Sequence, residues 1–351
     1  MPYQDLKFGV FLATSPTNDG NPANALENEL QCVQFLDESG YEYVWIAEGR
    51  SPGSWSITSA EDFISKAASR TKNIHFGVYM ASGHFQHPLK LADRIVQISQ
   101  MAEGRVTFCI GPDAHPSGSA ITERKSTVQQ NDVFKNIDVL LPLLQGKAII
   151  KKTSLSKSAE AKLESARHLN NMVELNVASQ ISPAAARTAG IHGLGLLSIG
   201  ATSAGGFDTL ATNWEIGERA AKINNQKVHR KNWSLLGPVH IAESKEQAFE
   251  NVKFGLDAWL AYFREVAGIS IVPLDAQDPA SSMVESGLAV IGTPGDAVAQ
   301  IRRLQEQSGG FGTFLQMAHN WADGQHTRKS IELFARYVIP EFQSNRDTIK
   351  A

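Results

Sequence analysis

Cysteine is scarce in this chain: Cys32 and Cys109 are the only two among 351 residues. One falls in a predicted helix and the other in a predicted strand, so no disulfide framework is expected, only two reduced thiols in a cytoplasmic protein. No apolar run approaches the roughly 20 residues of a membrane-spanning helix. The opening Met-Pro-Tyr-Gln-Asp carries no secretory signature, so neither export nor a membrane partner is expected. Charge is also sparse, at 20% of residues with a net of −3, which removes any general attraction to nucleic acid or an anionic lipid surface. Two chemical motifs are missing. No Gly-x-Gly-x-x-Gly follows the first predicted strand, which argues against an open doubly wound sheet. A Gly-x-x-x-x-Gly-Lys phosphate loop is absent too.

What is present is a repeated unit, clearest from Ser286 to Trp321. Thr293 can cap a helix, Pro294 suits its first position and Asp296 can pair with the open N–H groups there. Val298, Ile301 and Leu304 recur at helical spacing until Gly309-Gly310 stops the helix. The apolar run Phe311 to Met317 then reads as a buried strand, with His319, Asn320 and Trp321 at its exit. The rest of the chain repeats this alternation. Predicted strands are Leu6 to Leu12, Tyr43 to Ile46, Ile74 to Met80, Val106 to Ile110, Val173 to Ala178, Leu194 to Ile199 and Leu235 to Ala242. Between them lie helices striped by Leu26, Leu30, Val33 and Leu36, capped by Thr58 with Glu61, opened by Pro88 or by Ser182-Pro183, and running over 204–224. A further helix passes through Val252, Leu256 and Leu260, and a last one runs from Arg328 to Phe342.

Eight strands alternating with helices predict one α/β domain over 1–351, a closed (β/α)8 TIM barrel. Three irregular insertions interrupt it, at about 114–126, 146–170 and 268–285. The Lys- and Ser-rich 146–170 reads as a solvated surface insertion.

A barrel of this kind gathers its site at the C-terminal ends of the strands. Those positions hold Thr14 and Ser15; Ala47, Glu48 and Arg50; Ala81 and Ser82; Pro112 and Asp113; Ser179; Gly200; Glu243; and His319 to Trp321. Small residues and hydroxyls prevail, which suits a large planar ligand better than a metal. His84-x-x-His87 with His115 lacks an acidic third ligand beside it, so no metal is expected. In Ser179-Gln180-Ile181-Ser182-Pro183 the strand end and the helix N-terminus can together hold a phosphate, or Ser182 is simply a cap.

The stretches GYEYVWIAE (40–48), HPLKLADRIVQISQMAEGR (87–105), ASQISPAAARTAGIHGLGLLSIGATSAGG (178–206), SGLAVIGTP, QSGGFGTF, AHNWAD and LFARYV together resemble the bacterial luciferase-like flavin-dependent monooxygenases. The limonene 1,2-monooxygenase-like branch is the nearest match. The resemblance implies a TIM barrel and a homodimer or a heterodimer with a paralogue. It also implies reduced FMN delivered by a separate flavin reductase, and O2 that forms a flavin peroxide to oxygenate a small organic substrate. Carried over, Ser179 and Ser182 bind the flavin phosphate, Ala81-Ser82 lie against the ring system, and Trp321 walls the flavin pocket. Thr14 and His319 face the substrate. One departure matters: the family carries Glu-His-His after the strand-two Trp, whereas this chain has Glu48-Gly49-Arg50. The lost imidazole leaves Glu48, Arg50 and His115 as the catalytic candidates. Glu48 has a competing role as a strand-end hydrogen-bonding group, and Arg50 as a loop surface residue. Two alternatives follow from the same departure: a flavin-binding, non-catalytic subunit, or an oxidoreductase using the deazaflavin F420.

Overall fold

Period-two alternation along eight strands sorts the apolar side chains into an inner and an outer core. A computed structural model describes residues 5–12, 22–47, 57, 59–80, 87–111, 134, 136–147, 149–151, 159–161, 173–179, 182–203, 206–265, 270–317 and 320–343. The strands are β1 (Lys7–Leu12), β2 (Tyr43–Ala47), β3 (His75–Met80), β4 (Val106–Ile110), β5 (Ile149–Lys151), β6 (Ala159–Ala161), β7 (Glu174–Ser179), β8 (Gly195–Ser198), β9 (Trp233–Ile241), β10 (Val290–Gly292) and β11 (Thr313–Met317). The helices are α1 (Pro22–Glu38), α2 (Ala60–Ala68), α3 (Pro88–Met101), α4 (Ile137–Leu144), α5 (Pro183–His192), α6 (Gly206–Ile223), α7 (Lys245–Val252), α8 (Leu256–Glu265), α9 (Pro279–Glu285), α10 (Pro294–Ser308) and α11 (Gly324–Tyr337).

Eight of the strands form a closed parallel ring in the order β1-β2-β3-β4-β7-β8-β9-β11, and β11 pairs back onto β1. This is the (β/α)8 barrel that the alternating sequence predicts. β10 stands outside the ring and pairs with the last residues of β9, Val239 to Ile241. β5 and β6 form an antiparallel hairpin within the predicted insertion at 146–170.

Phe8, Val44, Phe76, Phe108 and Phe314 face outward and pack beneath the helices with Leu30, Ile64, Ile95 and Ile301. The residues of opposite parity, Phe11, Trp45, Ala47, Tyr79, Cys109, Ala178, Leu197, Leu236 and Leu315, fill the barrel interior. Each fully buried large side chain contributes about 1.5–3 kcal/mol, so this closed sheet carries much of the driving force for folding. Space inside is set by glycine. A Cβ at Gly77 would run into the indole of Trp45, its register partner on β2.

Local signals also account for the helix ends. Thr293 Oγ1 accepts from the Asp296 N–H at 3.4 Å and the Asp296 carboxylate accepts from the Thr293 N–H at 2.8 Å, the reciprocal cap expected at α10. Gly309 ends that helix at φ +73°, and Ser182 and Pro183 open α5 as anticipated.

Five expectations are corrected. α2 is capped by Ser59, whose side chain accepts from the Asp62 N–H; Thr58 lies outside the described residues. The single helix expected through Val252 and Leu260 is two, α7 and α8. It breaks at Gly255, where a Cβ would run into the Asn320 carbonyl and where the N–H donates to Trp321 O at 2.9 Å. The irregular 268–285 contains α9, opened by Asp278 and Pro279. Val290–Gly292 is a strand. The last helix starts at Gly324, one turn before Arg328, because Asp323 caps it. Cys32 on α1 and Cys109 on β4 are both free.

Candidate functional site at the barrel mouth

The two ends of the barrel differ in chemistry. At the N-terminal end, Lys7 Nζ donates to the Tyr43 hydroxyl at 3.3 Å and Thr107 Oγ1 to Glu174 Oε2 at 3.2 Å. His75 sits among them, held below its ordinary pKa by burial and then by the Lys7 charge. These groups satisfy one another and close that end, in keeping with a structural role for the bottom of such barrels.

At the C-terminal end, the described strand termini are small or apolar: Leu12, Ala47, Met80, Gly111, Ala178, Ser179 and Ser198. The β4 and β7 termini are the barest stretch. A Cβ built at Gly111 would stand 2.5 Å from the Tyr79 hydroxyl and 2.8 Å from Ala178 Cβ. Beside this stretch, Ser179 Oγ donates to the Ser182 carbonyl at 2.7 Å, which ties the end of β7 to the start of α5. Ser182 Oγ accepts from the Ala184 N–H at 3.3 Å, the N-cap geometry, and its side chain is exposed. Pro183 at the first position and three alanines after it leave the positive end of α5 without bulky cover. Ser179 and Ser182 are thus brought together on one turn.

Trp321 lies elsewhere in the packing. It is fully buried in a second apolar cluster with Leu256, Met283 and Ile291, edge to face with Trp259 at 5.2 Å between ring centroids. The partly buried Met317, at the end of β11, borders both this cluster and the barrel interior. The candidates Thr14, Glu48, Arg50, Ala81, Ser82, His115 and His319 lie outside the described residues. Of the histidines weighed as metal ligands, His84 and His115 lie outside them as well, and His87 is the N-cap of α3, its Nδ1 accepting from the Leu89 N–H at 3.3 Å. Among the described residues no three His, Cys, Asp or Glu side chains converge on a common point. Burial pushes the Cys109 thiol well above its ordinary pKa, so it is an inert wall of the interior.

Two features escaped the sequence reading. Tyr79 and Gly111 meet at the mouth, although the alternation His75-Phe76-Gly77-Val78-Tyr79 already sets Tyr79 on the inner face with Gly77. The second is a cavity of about 480 Å3 between the end of β9, α7 and α11, lined by Glu243, Gln247, Asn251, His326, Lys329 and neighbours. Its charges are matched, Lys329 with Glu243 at 3.5 Å and Arg328 with Glu332 at 3.6 Å. His240 is buried beside Asn251, and burial pushes its pKa down to about 4. It flanks the barrel rather than capping its axis, and it lacks the bare, hydroxyl-edged character of the mouth. No helix among the described residues is long and apolar enough to cross a membrane.

Known proteins share this fold. Residues 6–125 match the family described as luciferase-like monooxygenase. Limonene 1,2-monooxygenase of Rhodococcus erythropolis is 35% identical over 96% of this chain and 87% of its own length. The monooxygenase RslO1 from Streptomyces bottropensis superposes with a TM-score of 0.77 at 18% identity, over 96% of this chain and all of that one. The oxygenating constituent of 3,6-diketocamphane monooxygenase from Pseudomonas putida, a type II Baeyer–Villiger enzyme solved with FMN, gives a TM-score of 0.72 at 24% identity, over 96% of this chain and 98% of that one. The likeness to limonene 1,2-monooxygenase runs over nearly the whole of this chain, and on that ground the chain belongs to the luciferase-like monooxygenase family.

Proposed function

We propose that this protein is a flavin-dependent monooxygenase that uses reduced FMN and O2 to oxygenate a small organic substrate. The observation that carries this reading is the edge formed by Gly111, Ala178 and Ser179 beside the capped start of α5. A flat ring system needs a bare wall, and a phosphate needs N–H groups and hydroxyls at a helix N-terminus. Both lie on adjacent strands, so the residues present fit FMN. Ser179 and Ser182 hold the phosphate. Ala81 and Ser82 belong to the walls around the ring, Trp321 braces the β11 exit from its own buried cluster, and Thr14 and His319 face the substrate. The flavin supplies the redox chemistry with O2, as flavins do when reduced.

The chain's own work is to bind, orient and keep water out. Arg50 holds negative charge near the ring, the part left open where Gly49 replaces the family's imidazole; a guanidinium does this well but cannot accept a proton. Glu48 and His115 are the groups available to move protons at the mouth. A separate flavin reductase delivers the reduced cofactor, and the chain works as a homodimer or beside a paralogous partner.

Titration of the purified protein with FMN, followed by single turnover of reduced FMN under 18O2 with candidate terpenoid and ketone substrates, tests the reading. Saturable FMN binding and one 18O atom in the product are expected. Binding without any product when the chain is alone, restored by a co-expressed paralogue, would reassign it as a non-catalytic subunit. Tight F420 binding with FMN ignored would overturn the FMN assignment.

A further inference from the structure

The position of Tyr79 carries an inference beyond cofactor identity. Its Cα is level with Cys109 in the β3–β4 register. Its hydroxyl, however, lies beside Gly111, two residues further toward the mouth. The side chain therefore climbs along the inner wall toward the C-terminal rim. Phe11 supports the ring from β1, edge to face at 6.0 Å between centroids. On the β2 side its register partner is Ala47, which leaves that flank low. On the far side Gly111 and Ala178 are the smallest residues available, and any Cβ at Gly111 would displace the phenol. Tyr79 is only 4% exposed, so a large amphipathic ring is held with its polar tip beside Gly111, at the end of β4.

We propose that Tyr79 is the floor of the cofactor seat, and that its hydroxyl contacts the bound flavin ring, with Gly111 kept bare so that it can stand there. The inference rests on the flavin reading above. A phenol suits this duty because it offers both a donor and an acceptor on a rigid apolar body.

Fluorescence titration of oxidised FMN into wild type, Tyr79→Phe and Gly111→Ala tests it, with the melting temperature of each unliganded protein as control. Tyr79→Phe keeps the ring and its packing, so its unliganded melting temperature should stay within about 2 °C of wild type. Its FMN affinity should fall about tenfold, the worth of one well-placed hydrogen bond. Gly111→Ala should weaken FMN similarly by pushing the hydroxyl aside. If Tyr79→Phe binds FMN as wild type does, the proposal is overturned while the flavin reading stands. If wild type itself takes up no FMN, both fall.

Discussion

Trp259 and Trp321 meet edge to face, their ring centroids 5.2 Å apart and their planes at 84°. One comes from α8, the other from the segment that follows β11, and Gly255 ties the two by donating its N–H to Trp321 O. The exit of the last strand is thus anchored by an apolar cluster of its own, with Met283 and Ile291 at zero and 2% exposure.

Removing that anchor should cost stability. Trp321→Ala leaves a large cavity in a dry cluster and should destabilise the fold by about 3–5 kcal/mol. Urea unfolding monitored by circular dichroism measures it. A loss below about 1 kcal/mol would mean that the indole is not a packing element.

The inner core should be intolerant of added volume at Gly77. Gly77→Ala drives a methyl into the Trp45 ring on the neighbouring strand. Overpacking of this kind costs about 1–3 kcal/mol or more. A lower thermal midpoint with a red-shifted tryptophan emission is expected; an unchanged midpoint would show that the barrel interior can yield.

Acid should weaken the fold through His240. Burial first, and then the charge of His326, hold its pKa down to about 4, against an opposing pull from Asp323. Above the ordinary value near 6.5 both folded and unfolded forms are neutral there, and no stability is lost. As pH falls through 6.5 the unfolded chain takes up a proton that the folded chain refuses, so stability declines until about pH 4. The effect is on the order of 3 kcal/mol at the lower limit. Denaturation curves from pH 7.5 to 4.5 on wild type and His240→Gln should show a flatter profile in the variant. Parallel profiles would place the acid sensitivity elsewhere, His75 being the next candidate because burial lowers its pKa too.

Arg50 offers the catalytic counterpart. If its guanidinium holds charge at the mouth, Arg50→Ala should cut turnover at least tenfold with saturating FMN, about 1.4 kcal/mol of lost transition-state stabilisation, and leave the melting temperature unchanged. Arg50→Lys, which keeps charge without the planar fork, should recover part of the rate. Full activity in Arg50→Ala would retire that role.

Much of this architecture was legible one short window at a time. Thr293-Pro294-x-Asp296, Ser182-Pro183 and Gly309 announce helix ends because the groups that satisfy a helix terminus lie within four residues of it. Eight apolar runs alternating with helical stripes are enough to call a parallel barrel, since such strands must be covered on their outer faces. Where two local solutions competed, the sequence was ambiguous. Thr58 with Glu61 and Ser59 with Asp62 both have capping spacing, and Ser59 supplies the cap found. The break between α7 and α8 was harder to read, because the contact that fixes Gly255 there, its N–H to Trp321 O, comes from far along the chain. The mouth followed the same division. The sequence by itself determined which residues stand at the strand ends, because strand period and length assign them. Only the tertiary structure decided that Tyr79 leans past Cys109 to reach Gly111, and that Trp321 turns into a cluster with Trp259. Those outcomes depend on strand register and close packing between segments distant in sequence, which no local pattern encodes.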